Sequence, residues 1–181
     1  MWTWYASRAA GLVSLVLLTT TLVLGISGIA RAATARWPRF ALARLHRNAS
    51  LLAVAFVALH VVTAVLDGYV PIRWVDVVVP FTSGYQAFWL GLGAAAFDLL
   101  AALILTSLLR ARIGLRTWRV VHMAAYACWP LAVVHGLGLG GPDTTTGWIL
   151  VLTLCCVAAA TAGLLWRALI WSDGSRSEHL R

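Results

Sequence analysis

The chain predicts an all-α fold: an integral membrane helix bundle of five transmembrane helices, with the N-terminus outside and the C-terminus cytoplasmic. Three properties of its 181 residues carry that expectation. The composition is 61% hydrophobic and only 11% charged, where an average soluble domain is about 25% charged. Five apolar segments approach or exceed the roughly 20 residues that a helix needs to cross a bilayer. All 14 basic residues are arginine, against six acidic ones, for a net charge of +8. In a soluble protein that balance would suggest nucleic acid. Here the arginines lie between apolar runs, so the expected partner is the lipid bilayer and not nucleic acid.

The spans are expected near Ala9 to Ala30, Ala49 to Leu66, Gln86 to Leu109, Val120 to Leu137 and Gly147 to Trp171. Ala30-Arg31-Ala32-Ala33 resembles a signal-peptidase site, but the apolar run before it exceeds the roughly 7 to 15 residues of a signal core. The first segment is therefore kept as a membrane helix. The second follows a loop carrying Arg31, Arg36, Arg39, Arg44 and Arg47. Between the second and third lies Tyr69 to Thr82, whose Pro71 and Pro80 suit a short helix on the outer surface. The fourth follows Arg110, Arg112, Arg116 and Arg119, contains Pro130, and ends in the run Gly136 to Pro142. The fifth leads into a polar tail, Ser172 to Arg181, in which His179 reads as solvated.

With Arg167, Arg176 and Arg181, twelve arginines fall on one side, against Arg8 and Arg73 on the other. Cytoplasmic loops carry the excess of arginine and lysine, which sets the orientation and points to the inner (plasma) membrane as a multi-pass protein. The ten tryptophans agree, since indoles favour the interface. Trp2, Trp4, Trp74, Trp89 and Trp148 fall toward the outer face, and Trp37, Trp118, Trp166 and Trp171 toward the inner. Trp129, beside Pro130, falls within a span, where it reads either as bundle packing or as a contact on a bound haem.

Four histidines stand out in this apolar background: His46 and His60 on the second span, His122 and His135 on the fourth. Ionisable side chains are costly at bilayer depth and call for a compensating partner, which a metal or haem iron supplies. Both helices run outward, so His46 and His122 share the inner level and His60 and His135 the outer. Facing imidazoles at one depth suit bis-histidine ligation of a haem between helices, and two levels imply two haems. His46 and His60 are 14 residues apart, which returns the second within about 40° of the first. His122 and His135 are 13 apart and would diverge by about 140° on an ideal helix. Pro130 permits a local rewinding, expected between Trp129 and Gly136.

Arg44, Arg47 and Arg119 near the inner level, and Arg73 near the outer, are candidate partners for haem propionates. Topogenic charge accounts for the inner three equally well. Asp98, mid-span on the third helix, reads first as an acid bonding a neighbouring helix and second as a proton acceptor or a group near a quinone. Cys128, Cys155 and Cys156 lack a C-x-x-C spacing and read as small buried hydrophobes.

The paired spacing, with Leu45-His46-Arg47, Ala58-Leu59-His60-Val61, Leu105 to Arg110, Trp118 to His122 and Val134-His135-Gly136, resembles the ferric reductase-like transmembrane superfamily, especially its small actinobacterial members. That superfamily includes NADPH oxidases, ferric reductases and the haem subunit of a periplasmic methionine sulfoxide reductase system. The resemblance covers roughly Arg44 to Trp171. It implies two b-type haems stacked across the bilayer and electron passage between its faces, in a single domain over 1–181 with the haem-binding core at about 44–171. Its larger members continue into flavin and NADPH domains, whereas no Gly-rich dinucleotide fingerprint occurs here. The core often has six spans against the five counted. The expected protein is an electron-transfer oxidoreductase subunit without its own flavin or NAD(P)H domain. Its donor would be a cytoplasmic flavoprotein reductase or quinol, and its acceptor periplasmic. The alternative is a non-redox membrane subunit or small transporter with the histidines in packing or proton relay.

Overall fold

The computed structural model describes residues 2–29 and 39–178. In chain order the helices are α1 (Trp2–Ile29), α2 (Arg39–Leu66), α3 (Trp74–Val78), α4 (Ala87–Leu108), α5 (Arg110–Ile113), α6 (Leu115–His122), α7 (Ala125–Leu139), α8 (Pro142–Thr145) and α9 (Gly147–Glu178). Among the described residues, five stretches are long and apolar enough to cross a membrane: Trp2–Gly28, Phe40–Leu66, Ala87–Leu108, Leu115–Leu139 and Gly147–Ile170. The chain is a multi-pass membrane protein built from helices. With no water in the hydrocarbon, each backbone N–H must find its acceptor within its own segment, and a helix provides this. Arg31, Arg36, Trp37 and His179 lie outside the described residues.

Large apolar side chains face outward, among them Leu51 and Leu52 on α2, Leu105 and Leu108 on α4 and Leu154 and Leu165 on α9. Hydroxyls turn inward instead. Ser14 and Thr19 on α1 and Thr153 on α9 are buried, and each donates to the carbonyl four residues back at 2.7, 2.7 and 3.0 Å. That local bond gives the hydroxyl hydrogen an acceptor within its own helix, so a polar side chain can sit in the bundle interior.

The closest packing is α1 on α2 and α4 on α7, with α1 also touching α9 and α7. Trp129 on α7 donates its indole N–H to Thr19 on α1 at 2.9 Å. Arg167 on α9 donates to the Tyr126 hydroxyl on α7. α2 and α7 face each other across a cavity.

Several expected boundaries move. α1 begins at Trp2 rather than Ala9, and α2 at Arg39 rather than Ala49. Counting apolar residues stops at the first charge, but a helix continues through the interface while its arginines reach outward. Arg8, Arg44 and His46 are thus helical residues. α9 likewise runs to Glu178, so residues 172–178 continue the helix.

The rewinding expected between Trp129 and Gly136 lies elsewhere. Pro130 is inside a helix that runs unbroken from Ala125 to Leu139. The distortion falls between His122 and Cys128, where the N–H groups of Ala124, Tyr126 and Ala127 bond carbonyls three residues back at 2.9 to 3.0 Å, and Met123 bonds both Arg119 and Val120. A proline ring presses on the carbonyl four residues earlier, here that of Tyr126, so its influence extends N-terminally. Three-residue turns advance about 120° per residue rather than about 100°, so about five such residues remove about 100° of the 140° misfit.

The segment between α2 and α4 forms the short surface helix expected there. Asp76 is 2% exposed and accepts from the Arg73 backbone N–H (3.0 Å), the Arg73 guanidinium (2.8 and 3.2 Å) and the Thr82 hydroxyl (3.1 Å). This clasp holds a turn in which Phe81 has φ +66°, with its ring against Gly91 of α4, where a Cβ would collide.

The hydrogen bonds from Arg73 hold the Asp76 carboxyl down at about 2, below the unfolded value of about 3.9. A depressed carboxylate stabilises above its unfolded pKa and loses that contribution as pH falls through the folded one. Amide exchange over Trp74–Val78, corrected for intrinsic rate, is expected to rise between about pH 4 and about pH 2. Asp76→Asn should show the raised exchange already at neutral pH, without that step.

Candidate functional site

The four histidines come together as two pairs, each with one ring from α2 and one from the α6–α7 segment. His46 and His122 have ring centroids 6.3 Å apart with planes at 61°, and His60 and His135 are 6.2 Å apart at 84°. The first pair lies at the end of the bundle that carries Arg44, Arg47 and Arg119, and the second at the opposite end.

A nitrogen about 2.0 Å from a shared metal ion, with about 1.1 Å more to the ring centre, places two opposed imidazoles about 6.2 Å apart. Edge-to-face aromatic pairs cover about 4.5 to 7 Å, so distance alone does not decide the chemistry. Proton placement adds more. His60 Nδ1 lies 2.8 Å from the Ser7 carbonyl oxygen, His135 Nδ1 2.9 Å from that of Trp89, and His46 Nδ1 3.0 Å from that of Thr21. A carbonyl only accepts, so Nδ1 carries the proton in all three rings and Nε2 keeps its lone pair. The pair at the far end therefore has two Nε2 acceptors and no ring proton to share. This is the tautomer of metal-bound histidine whose other nitrogen is anchored by the protein.

The neighbouring helices make room for these bonds at one repeated spacing. On α1, Ser7 is followed four residues later by Gly11, whose Cβ would meet His60 Nδ1 at 3.1 Å, and Thr21 by Gly25, whose Cβ would meet His46 Cε1 at 3.4 Å. On α4, Trp89 is followed by Gly93, where a Cβ would collide with the His135 ring. A carbonyl already within a helix can accept a second bond only if the side chain one turn on leaves the approach open. The 14 residues from Gly11 to Gly25 match the 14 from His46 to His60. That match is a sequence signal the histidine pattern alone did not reveal.

His60 and His135 line a cavity of about 330 Å³ between the helix pairs, with Gly11, Gly93, Phe97 and Cys128. This is within the size range of small-molecule sites, roughly 300 to 1,000 Å³. Its polar rim includes Ser7, Arg8, Asp67, Asp76 and Tyr85. Among the described residues no group of three or more His, Cys, Asp or Glu is placed to hold a metal ion.

The other expected site residues are distributed unevenly. Arg44, Arg47 and Arg119 are exposed at the end that holds His46 and His122. Arg73 is turned to Asp76 and is 64% exposed, and the arginine lining the far cavity is Arg8, stacked 4.7 Å over Trp4. Arg8 belongs to α1, which begins at Trp2. Trp129 bonds Thr19 and sits midway between the histidine levels. Cys128 and Cys156 are buried, whereas Cys155 is exposed, unlike the buried role expected of it. Asp98 is half-buried.

A family model described as ferric reductase like transmembrane component matches residues 10–133. The match takes in three of the four histidines and most of α1. Comparison with curated proteins and with solved structures gives no match.

The clearance at Gly93 and the open space at Gly136 make a controlled contrast. Gly93→Val should lower stability by about 1 to 3 kcal/mol through overpacking. Gly136→Ala should be neutral or stabilising by up to about 1 kcal/mol. Thermal unfolding of the detergent-purified chain measures both.

Proposed function

The chain belongs to the ferric reductase-like transmembrane family, and on that premise we propose that it is a b-type cytochrome carrying electrons across the membrane through two bis-histidine haems. His46 and His122 would hold the iron at the arginine end, and His60 and His135 the iron at the other. The observation that carries this reading is the two histidine pairs at nearly equal separation, 6.3 and 6.2 Å. A pair of histidines with free Nε2 atoms fits a macrocyclic iron cofactor, which would bring its own further nitrogen ligands. When bound, haem provides a one-electron couple that no side chain here offers.

The chain's own residues do the rest. Ser7, Thr21 and Trp89 hold three imidazoles by their backbone carbonyls, fixing ring direction and raising ligand basicity. Gly11, Gly25 and Gly93 keep the neighbouring helices clear. Arg44, Arg47 and Arg119 would pair propionates at one end. Arg73 would pair them at the other end, where Arg8 also lines the cavity.

By its arginine distribution the chain lies in the inner membrane with the arginine end cytoplasmic. A cytoplasmic flavoprotein reductase or quinol would then donate and a periplasmic acceptor receive. Packing or proton-relay roles for the histidines would explain the carbonyl bonds, but not two unshared lone pairs in one pair.

A reduced-minus-oxidised visible spectrum of the purified protein should show b-type haem, with about two haems per chain by pigment assay. His60→Ala or His135→Ala should retain about half of the pigment, and His60→Ala combined with His46→Ala almost none. A colourless wild-type protein that remains so after haem reconstitution would reject the cytochrome reading.

A further inference from the structure

Asp98 stands at the middle of α4, among apolar residues. The bond to a neighbouring helix expected of it from the sequence is not made within the chain: among the described residues no hydrogen bond or ion pair reaches its carboxyl. α4 meets α7 through Ala96, Leu100 and Leu103, which pack around Cys128. On a helix of 3.6 residues per turn these three lie about 140° to 200° from Asp98. The carboxyl is therefore carried on the face turned away from α7. The other substantial contacts of α4 among the described residues are with the short helices α3, α5 and α6.

That outward face has a pattern of its own. Ala95, Asp98, Ala102, Leu105 and Leu109 follow one another at alternating spacings of three and four residues and fall within about 60° of Asp98. Such spacing is the seam of a left-handed helix pair. Alanines on either side of the acid let a second backbone approach closely, and Leu105 and Leu109 are exposed. One step toward the other end the seam reaches Gly91, which the Phe81 ring already covers. The uncovered part thus runs from Ala95 to the arginine end, with the acid inside it.

The acid selects the occupant. A carboxylate is costly at mid-bilayer, whereas the neutral acid has one hydrogen to donate and a carbonyl oxygen to accept, so it complements another of its kind. Two copies inserted the same way round are related by a two-fold axis along the membrane normal. That axis sets α4 parallel to α4 and brings each seam residue near its own counterpart. We infer that α4 is a self-association face, on which a second copy of this chain packs along Ala95 to Leu109 with the two Asp98 carboxyls hydrogen-bonded to each other.

The inference stands on the membrane fold and not on the haem reading. Its test uses full-length chains as purified, carrying far-red donor and acceptor dyes outside the haem bands, mixed in phosphatidylcholine vesicles and diluted with lipid. Energy transfer in the wild type should exceed that of random proximity and fall on dilution along a monomer–dimer curve. Asp98→Ala should weaken pairing by about 3- to 20-fold, the span of interhelical hydrogen bonds in membranes. Asp98→Asn, whose amide also donates and accepts, should pair about as the wild type does. Ala102→Ile, which holds the backbones apart, should weaken pairing by about tenfold. In a Cys155→Ser background, Ala102→Cys should form an intermolecular disulfide on oxidation in the vesicles. Transfer no greater than random proximity in the wild type overturns the inference, as a chain that is single or that pairs only with another protein would show. Pairing that Asp98→Ala and Ala102→Ile both leave unchanged also overturns it. So does wild-type cross-linking through the exposed Cys155 of α9 with none at Ala102→Cys.

Discussion

The bundle depends on one constraint: a polar ring nitrogen inside a membrane must be satisfied by a group that is already there. In this chain the available groups are helix carbonyls, and three histidines reach them across helix interfaces, from α2 to α1 and from α7 to α4. Such a bond demands that backbones approach closely, which selects glycine on the accepting helix. It also fixes the tautomer, which leaves the other nitrogen for a ligand. Packing, proton placement and cofactor capacity are therefore consequences of the same contacts. The two tight helix pairs, α1 with α2 and α4 with α7, follow from it, as does the cavity left between them.

Much of this was legible in the residues. Length and apolarity give five spans, and two histidines on each of two helices give two levels. The harder part was angular. A spacing of 13 residues does not return to one face of an ideal helix, and proline was the right suspect at the wrong address. Its steric effect acts on the preceding turn, so the overwound stretch lies before Cys128 and not after Trp129. Composition could not reveal this, because the distortion is a choice of hydrogen-bond partner rather than of residue.

Other features were hidden by treating charge as the end of a helix. Arg8 and His46 both lie in turns that apolar counting excluded, yet each sits where α1 or α2 borders the site. Arg73, distinctive by its isolation in the sequence, is committed to Asp76 and closes the surface turn over α4. Its partner lies only three residues away, a spacing that in the sequence reads as surface decoration, although Asp76 is buried. The family match from residue 10 fits α1 as an integral part of the architecture, with its carbonyls serving α2.

The two long histidine-bearing segments differ in mechanical character. α2 is uninterrupted between His46 and His60, and the matched 14-residue repeat on α1 grips it at both levels, so the pair acts as a ruler. Displacing one level along the axis displaces the other by the same amount. The partner segment is jointed at Met123 and Ala124, where three-residue turns can tighten or relax toward the regular helix. Each residue in such a turn is rotated about 20° further and rises about 0.5 Å more than in the regular helix, so the winding there sets both the direction of His122 relative to His135 and their separation along the axis. Differences between the two levels are thus accommodated on one side of the cavity, while the other side holds their spacing constant.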